Sequence, residues 1–214
     1  VPAPALADRA TQTMTPATPA TPPPIIETNF QPRPPRDVFE AQVALMRDAC
    51  CPGPIDGIAG SQTRAAIAAF QRKHDLPVTG TLDVTTREAL TLREPPLKNY
   101  VVTADDLARL RPPPKNWIER AQLDRLDFTS ELELVAEKTF AHPNQIRRLN
   151  PGVVWEEIAV GTAVVTPNVF RAPPKTWPRS IVISLSAKSL ELFDVDGRLL
   201  AHFPCSIAKR VEKR

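Results

Sequence analysis

Helical spacing of apolar side chains is the first clear pattern in the chain, and it begins at Val38. After that residue apolar positions recur at helical intervals, at Ala41, Leu45, Met46 and Ala49. A second helix is predicted over Gln62–His74, with Ser61 as its N-cap and with Ala66, Ile67 and Phe70 on one face. Asp83 is predicted to cap a short third helix that carries Val84, Thr86 and Leu90. Turns at Asp56-Gly57 and at LPVTG separate the helices, so the pattern predicts a helical module of about 50 residues.

A different pattern follows, in which two short strands enclose a pair of helices. The run Tyr100–Thr103 is β-prone, and a polar helix comes after it. Ser130 and Glu133 form an S-x-x-E capping box before a helix whose inner face consists of Leu134, Val135 and the stem of Lys138. Pro143 suits the first turn of the next helix, with Ile146 and Leu149 turned inward. Ile158–Thr166 predicts a turn and a closing strand, which completes the order β–α–α–β.

Three β-prone stretches lie between Ile181 and Ile207. The first, IVISL, alternates poorly between apolar and polar positions, so burial on both faces is expected. Asp196-Gly197 predicts a tight hairpin before the last strand. The fold class predicted for the whole chain is therefore multidomain α+β: a small helical module, a β–α–α–β module, and an incomplete β-hairpin or sheet at the C-terminus.

Clusters among the 25 prolines punctuate these parts. Residues 1–37 are rich in Pro, Thr and Ala and predict a disordered or polyproline-like linker. The predicted domains are then residues 38–92, 100–168 and 179–214.

Charge and hydropathy narrow the possible partners. The net charge of +3 and the pI of 8.9 come without a concentrated Lys/Arg face, which argues against nucleic acid as a partner. No stretch approaches the roughly 20 apolar residues that cross a bilayer. The chain begins at Val1 rather than Met, so we expect that a signal or an anchor preceded it.

The three cysteines, Cys50, Cys51 and Cys205, are too few for a fully paired disulfide framework. No CxxC or CxxH spacing is present and the three histidines are scattered, so neither a metal site nor a cofactor is expected. The cysteines are interpreted as small buried hydrophobes.

One set of motif residues spans the helical module: Leu45, then Pro54, Asp56, Gly57, Gly60 and Thr63, then Ala66, Phe70 and Gln71, then Leu76, Gly80, Asp83, Thr86 and Leu90. In this order and spacing the run from Val38 to Leu90 resembles the peptidoglycan-binding domain of bacterial wall hydrolases and transpeptidases. The resemblance implies peptidoglycan, its glycan strands and stem peptides, as the partner. The candidate binding residues are Asp56, Gly57, Thr63, Phe70 and Gln71. Most also have a structural interpretation, because a buried Phe70 fills a core and glycines permit positive φ, while Thr63 and Gln71 tie loops to helices.

The β–α–α–β stretch, with YVVT, LxxVAEK, IRRLNPG and IAVGTAVVTP, resembles a LysM domain, the glycan-binding fold of many wall proteins. It departs from that family in a long insertion after YVVT and in Phe128-Thr129-Ser130 where Gly-Asp-Thr is expected. Asn150 and Trp155 are candidate glycan-binding residues here, and Trp117 and Trp177 are further stacking candidates. A spacer packed against its neighbours remains the alternative to a glycan-binding module.

The last segment, with its Ser-x-x-x-Leu-x-Leu-Phe, Asp-Gly and Phe-Pro-x-Ser-Ile elements, resembles the N-terminal hairpin of the L,D-transpeptidase catalytic domain. Enzymes of this family form a thioester on the cysteine of a Ser-x-Gly-Cys motif, with a histidine assisting. Neither the motif nor its assisting histidine is found in this chain. Cys205 and His202 are predicted to point to opposite faces of a strand, so no catalytic residue is predicted.

Two hypotheses remain open from the sequence. The chain is the targeting part of a cell-wall L,D-transpeptidase whose catalytic motif lies beyond Arg214, or it is a stand-alone, non-catalytic peptidoglycan-binding protein. Either is expected in the cell envelope, in a periplasmic or extracytoplasmic location. The first is favoured because three strands alone leave an open edge and exposed apolar side chains.

Overall fold

The structure, a computed structural model, describes residues 29–170 and 176–207. Within those ranges the helices are α1 (Val38–Arg47), α2 (Ser61–Lys73), α3 (Val84–Ala89), α4 (Ala104–Ala108), α5 (Trp117–Ala121), α6 (Glu131–Lys138) and α7 (Pro143–Leu149), with a single 3-10 turn at Trp155–Glu157. The strands are β1 (Leu97–Val101), β2 (Ala163–Pro167), β3 (Ser180–Ser184), β4 (Ser189–Phe193) and β5 (Leu199–Pro204). Most of the predicted linker, residues 1–28, and the last seven residues of the predicted C-terminal part lie outside the described residues.

The first unit, α1 to α3, follows the predicted helices closely. Asp37 caps α1 by accepting from the Glu40 amide at 2.9 Å, and Asp83 caps α3 in the same way at Thr86, 2.8 Å away. The predicted cap of α2 is wrong, because Ser61 is already helical and Gly60 holds the cap position without a side-chain hydrogen bond.

This unit begins earlier than the predicted boundary at residue 38. The Arg33 amide donates to the Leu92 carbonyl at 3.0 Å, and the Leu92 amide donates back at 2.9 Å. Residues just before α1 are therefore part of the fold rather than of a free linker. The core between the three helices is built from the predicted stripe, including Leu45, Ile67, Phe70 and Leu90. Val84 lies outside this core and is 72% exposed, and Val38 and Ala49 are only half-buried.

The second unit has the predicted strand and helix order. β1 and β2 pair antiparallel from Leu97↔Pro167 to Val101↔Ala163, and α6 and α7 pack beside them around Leu134, Val135 and Ile146. The insertion between β1 and α6 carries the short helices α4 and α5.

The predicted capping box of α6 forms only in part. The Ser130 hydroxyl accepts from the Glu133 amide at 3.2 Å, as expected. The Glu133 carboxylate turns instead to the Thr129 amide, 2.7 Å away, one residue before the cap. The start of α6 is thus fixed from two adjacent loop residues.

The third unit is an antiparallel sheet in the order β3-β4-β5. The prediction that IVISL is buried on both faces is wrong: Ile181, Val182 and Ile183 are 61%, 50% and 59% exposed. β3 lies at the edge of the sheet, so no strand within the described ranges covers its outer side. The opposite edge is covered, because β5 pairs with the chain that follows α1.

Short β-bridges join the three units. The His202 amide donates to the Ala49 carbonyl at 2.9 Å, and the Cys51 amide donates to the His202 carbonyl at 2.8 Å, which adds the α1–α2 loop to the sheet. Leu199 of β5 completes the core of the first unit. On the other side, the Ile55 amide donates to the Phe140 carbonyl at 2.8 Å, which ties the first unit to the second.

Candidate functional site

A buried glutamine, Gln42 of α1, organises the turn that carries the candidate residues Asp56 and Gly57. Its Oε1 accepts from the amides of Asp56 and Gly57 at 3.0 and 2.8 Å. Its Nε2 donates to Asp56 Oδ1 at 2.9 Å, to the Ile58 carbonyl at 3.1 Å and to Thr63 Oγ1 at 3.0 Å. Gly57 adopts φ of +77°, a left-handed conformation that favours glycine. One amide side chain therefore fixes both the shape of this turn and its distance from α2.

Gln71 of α2 performs the same task for the next turn. Its Oε1 accepts from Thr79 and Gly80 at 2.9 and 2.8 Å, and its Nε2 donates to Thr79 Oγ1, the Thr81 carbonyl and Thr86 Oγ1 at 2.9, 3.2 and 2.8 Å. Both glutamines are almost fully buried, at 1% and 0% exposure for Gln42 and Gln71 respectively. The two halves of the unit thus share one arrangement, in which a glutamine on a helix bonds to a glycine-containing turn and to a threonine of the next helix.

Among the candidate residues of this unit, three are buried. Thr63, Phe70 and Gln71 are 3%, 2% and 0% exposed, and their interactions are with the protein itself. Asp56 and Gly57 are half-buried on the outer side of the turn. The turn at Asp56 and Gly57 can therefore contact a ligand. Thr63 supports this turn from within, Gln71 supports the next turn, and Phe70 fills the core.

Asn150 and Trp155 of the second unit also have structural positions. Asn150, 7% exposed, donates from Nδ2 to the carbonyls of Ile146 and Val165 at 2.9 and 2.8 Å and accepts from the Val165 amide at 2.8 Å. Trp155 is 6% exposed within the core of the unit. Its indole ring has too little free surface to stack on a sugar, whereas Trp117 and Trp177 are 79% and 90% exposed.

The turn at Asp56 forms one wall of a cleft of about 360 Å³ where the three units meet. The second wall is the β4–β5 side of the third unit, and His142 contributes from the second. The lining residues are Pro52, Pro54, Asp56, Ile58, Gly60, Ser61, Gln62, Thr63, Ala65, His142, Ala187, Lys188, Ser189, His202, Pro204 and Cys205. The walls include proline rings, hydroxyls and charged groups, which suits an amphipathic ligand such as a peptide or a sugar.

An ion-pair cluster fixes the β-sheet wall of the cleft to α2. Glu191 of β4, whose side chain is 12% exposed, pairs with Arg72 of α2 and with Nδ1 of His202 at 3.1 Å. Burial opposes its charged form, but the hydrogen bonds from Arg72 and His202 outweigh burial and hold the pKa of Glu191 below its ordinary value. The carboxylate stays ionised and links the two units at neutral pH.

Cys50 and Cys205 lack a histidine bonded to their thiols among the residues that the structure describes. Cys50 is buried, and burial, with the negative charge of Asp48 adding to it, raises the pKa of its thiol to about 12. His74 does come near, since its Nε2 and the Cys50 thiol both contact Asp48 Oδ2, at 3.1 and 3.8 Å. The carboxylate stands between them and disfavours a thiolate. Cys205 shares no hydrogen bond with His202 in the described part of the chain.

The interpretation of the cysteines as buried hydrophobes holds for Cys50, while Cys51 and Cys205 are partly exposed. Within residues 29–170 and 176–207 all three are free thiols, and no cluster of His, Cys, Asp and Glu is suited to a metal ion. Across the same ranges no helix has the length and apolar character needed to span a bilayer.

Comparison with known families identifies the first unit. Residues 35–90 match the family described as "Putative peptidoglycan binding domain", a range that includes α1 to α3 and both glutamine-held turns. No curated protein matches the chain. The match supports binding to peptidoglycan and a cell-wall-associated location for the chain that carries this domain.

Proposed function

We propose that this chain is the peptidoglycan-binding and targeting part of a cell-wall L,D-transpeptidase, located in the periplasm or another extracytoplasmic compartment. The single observation that carries the binding function is the match of residues 35–90 to a peptidoglycan-binding domain. The cleft beside Asp56 supports it, because this is where the half-buried turn of that domain faces solvent and polar side chains of the other units.

The transpeptidase context rests on the third unit. Its strand, turn and hairpin elements resemble the opening of that catalytic domain, and the structure has three paired strands at these positions. The exposed edge strand β3 and its apolar side chains Ile181 and Ile183 are consistent with a sheet that further strands extend. The second unit supports the same context, since its β1–β2 pair and its α6–α7 pair have the order of a LysM domain.

A co-sedimentation assay with purified sacculi tests the binding function. We expect retention of the full chain at moderate salt that exceeds that of an unrelated basic protein. Asp56→Asn removes a charge from the cleft while keeping Oδ1 as the acceptor for the Ile58 amide, and should weaken retention. Asp124→Asn is the matched control, because Asp124 is exposed in the insertion. Retention no better than the unrelated protein would refute the proposal.

A stand-alone binding protein is the second candidate, and one observation favours it. Leu199 is buried in the core of the first unit and Phe193 packs against that core, so the third unit has a structural role that needs no catalysis. The coding sequence after Arg214 separates the two candidates. A histidine and a Ser-x-Gly-Cys motif in the same frame support the transpeptidase, and an immediate natural stop codon supports the stand-alone protein.

A further inference from the structure

The N-terminus of α2 opens onto the cleft with its first amides unsatisfied. α2 is 13 residues long, and its N-cap is Gly60, which has no side chain to accept a hydrogen bond. The backbone amides of Ser61, Gln62 and Thr63 have no acceptor among the described residues. All three residues line the cleft. A helix of this length carries a partial positive charge at that end, which favours an anion beside the free amides.

A second and independent feature faces the same cleft from the other wall. Ser189, at the start of β4, is only 7% exposed and lines the cleft. Its hydroxyl makes no hydrogen bond to the residues that the structure describes, and its oxygen keeps some accessible surface in the cleft. Because this oxygen faces the cleft and has no partner among those residues, it is suited to donate to a ligand that enters there.

Two further donors line the same cleft. Lys188, adjacent to Ser189, is exposed and lines the cleft. Nδ1 of His142 accepts from the Asn144 amide at 3.2 Å, so in the neutral ring the proton lies on Nε2, which is then a donor. Asp56 is the acidic group of the cleft, and its Oδ1 is already engaged by Gln42 and by the Ile58 amide.

We propose that this cleft binds a carboxylate of a peptidoglycan stem peptide, between the α2 amides, the Ser189 hydroxyl and the Lys188 ammonium. Asp56, on the same cleft, offers its remaining oxygen to an amine of the same peptide. The site is composite: the first unit supplies the helix end and the third unit supplies Ser189 and Lys188. This inference rests on the proposed peptidoglycan binding and adds to it which chemical group is recognised and which two units recognise it.

Calorimetric titration of the full chain with a soluble disaccharide-tetrapeptide tests the carboxylate. We expect binding of this fragment and about tenfold weaker binding once its carboxyl groups are amidated. Equal affinity for the two fragments would overturn the inference, and so would a chain that is retained on sacculi but does not bind the fragment.

Two pairs of variants test the protein side. Gly60→Asp places a carboxylate where the ligand anion would lie. The substitution fits the fold, because Gly60 has φ of −76° and a Cβ there meets no atom within 4 Å. Because Asp is a good N-cap, the variant stays folded while its affinity falls by about tenfold. Gly60→Ala, which adds neither cap nor charge, should stay within about twofold. Ser189→Ala should weaken binding by about threefold to tenfold, and Ser180→Ala on the exposed edge strand is its control.

Inorganic phosphate, as a competing anion, distinguishes the source of the charge. Failure of phosphate to displace the fragment at equal concentration supports a peptide carboxylate. Displacement by phosphate together with indifference to amidation refutes it. Full affinity in Gly60→Asp would also refute it, while leaving retention on sacculi, and with it the proposed function, intact. If the unmodified chain is not retained on sacculi, the proposed function itself is refuted.

Discussion

Replacing Gln42 by alanine tests whether a single buried side chain maintains the binding turn. Gln42 is 1% exposed, its Oε1 accepts from two amides of the turn, and the two hydrogens of its Nε2 are shared among three acceptors, one of them Thr63 Oγ1. Asp56 and Gly57 are half-buried, so their amides can turn to water after the substitution. The lost bonds and the small cavity together should cost about 3 kcal/mol of unfolding free energy.

Gln71→Ala provides a matched comparison, because Gln71 is 0% exposed and makes an equivalent set of bonds to the next turn. Both variants should therefore lose similar stability, a fall in melting temperature of about 6 to 12 °C for a chain of this size. Only Gln42→Ala should also lose affinity for sacculi beyond the effect of stability, since its turn lines the cleft and the turn held by Gln71 does not.

Urea unfolding followed by circular dichroism gives the stability, and co-sedimentation with sacculi well below the melting temperature gives the binding. A loss of less than about 0.5 kcal/mol in Gln42→Ala would refute the claim that this glutamine maintains the turn. Equal losses of binding in the two variants would show that the turn at Asp56 has no special part in recognition.

Three further predictions concern groups elsewhere in the fold. Asp106 accepts hydrogen bonds from the Tyr100 hydroxyl and the Thr103 amide at 2.8 and 2.9 Å, and it forms an ion pair with Lys138. Burial opposes the charged form of Asp106, but these donors outweigh burial and lower its pKa to about 2. A carboxyl group whose pKa is lower in the folded chain stabilises the fold at every pH above its pKa in the unfolded chain. The free energy of unfolding should therefore exceed that of Asp106→Asn by a constant amount at neutral pH. In an acid unfolding series this advantage should disappear as the pH falls from about 4 to about 2. The Cys50 thiol, with a pKa of about 12, should react with iodoacetamide only after unfolding, whereas Cys51 and Cys205 should react in the folded chain. Mass spectrometry of the labelled peptides measures the extent of reaction at each cysteine. Rapid labelling of Cys50 in the folded chain would contradict its burial. Trp155→Ala should lower unfolding free energy by about 3 to 5 kcal/mol and Trp117→Ala by less than about 0.5 kcal/mol, and equal losses in denaturant titrations would contradict the assignment of Trp155 to the core.

Local signals in the sequence predict the secondary structure well. Asp83 shows why, because a capping carboxylate and the helix it starts are only a few residues apart. Asp37 caps α1 in the same way, although it falls within the predicted linker. The error at the start of α2 has a local cause too. Ser61 is the better capping residue by type, but the chain turns into the helix one residue earlier, at Gly60. The importance of Gln42 was missed, although a signal exists: a glutamine interrupts the apolar stripe of α1, as Gln71 does in α2.

Contacts between distant parts of the chain could not be predicted from such signals. The bridge between Cys50 and His202 joins residues about 150 positions apart, and nothing in either segment specifies the other. The exposure of IVISL follows from the same cause, since its strand would be central only if another strand lay beyond β3. Apolar composition indicates that a strand tends to be buried but does not indicate which edge its sheet leaves open.

The pairing of β5 with the α1–α2 loop also explains how a site can arise from parts that look unrelated in sequence. The bridge at His202 and the ion pair between Arg72 and Glu191 hold β4 and β5 against α2. Ser189 is the first residue of β4, only two positions before Glu191, so the contact that fixes the sheet also sets this hydroxyl on the cleft. The binding domain and the third unit are therefore coupled through the same contacts that bury Leu199, and we expect recognition to depend on both.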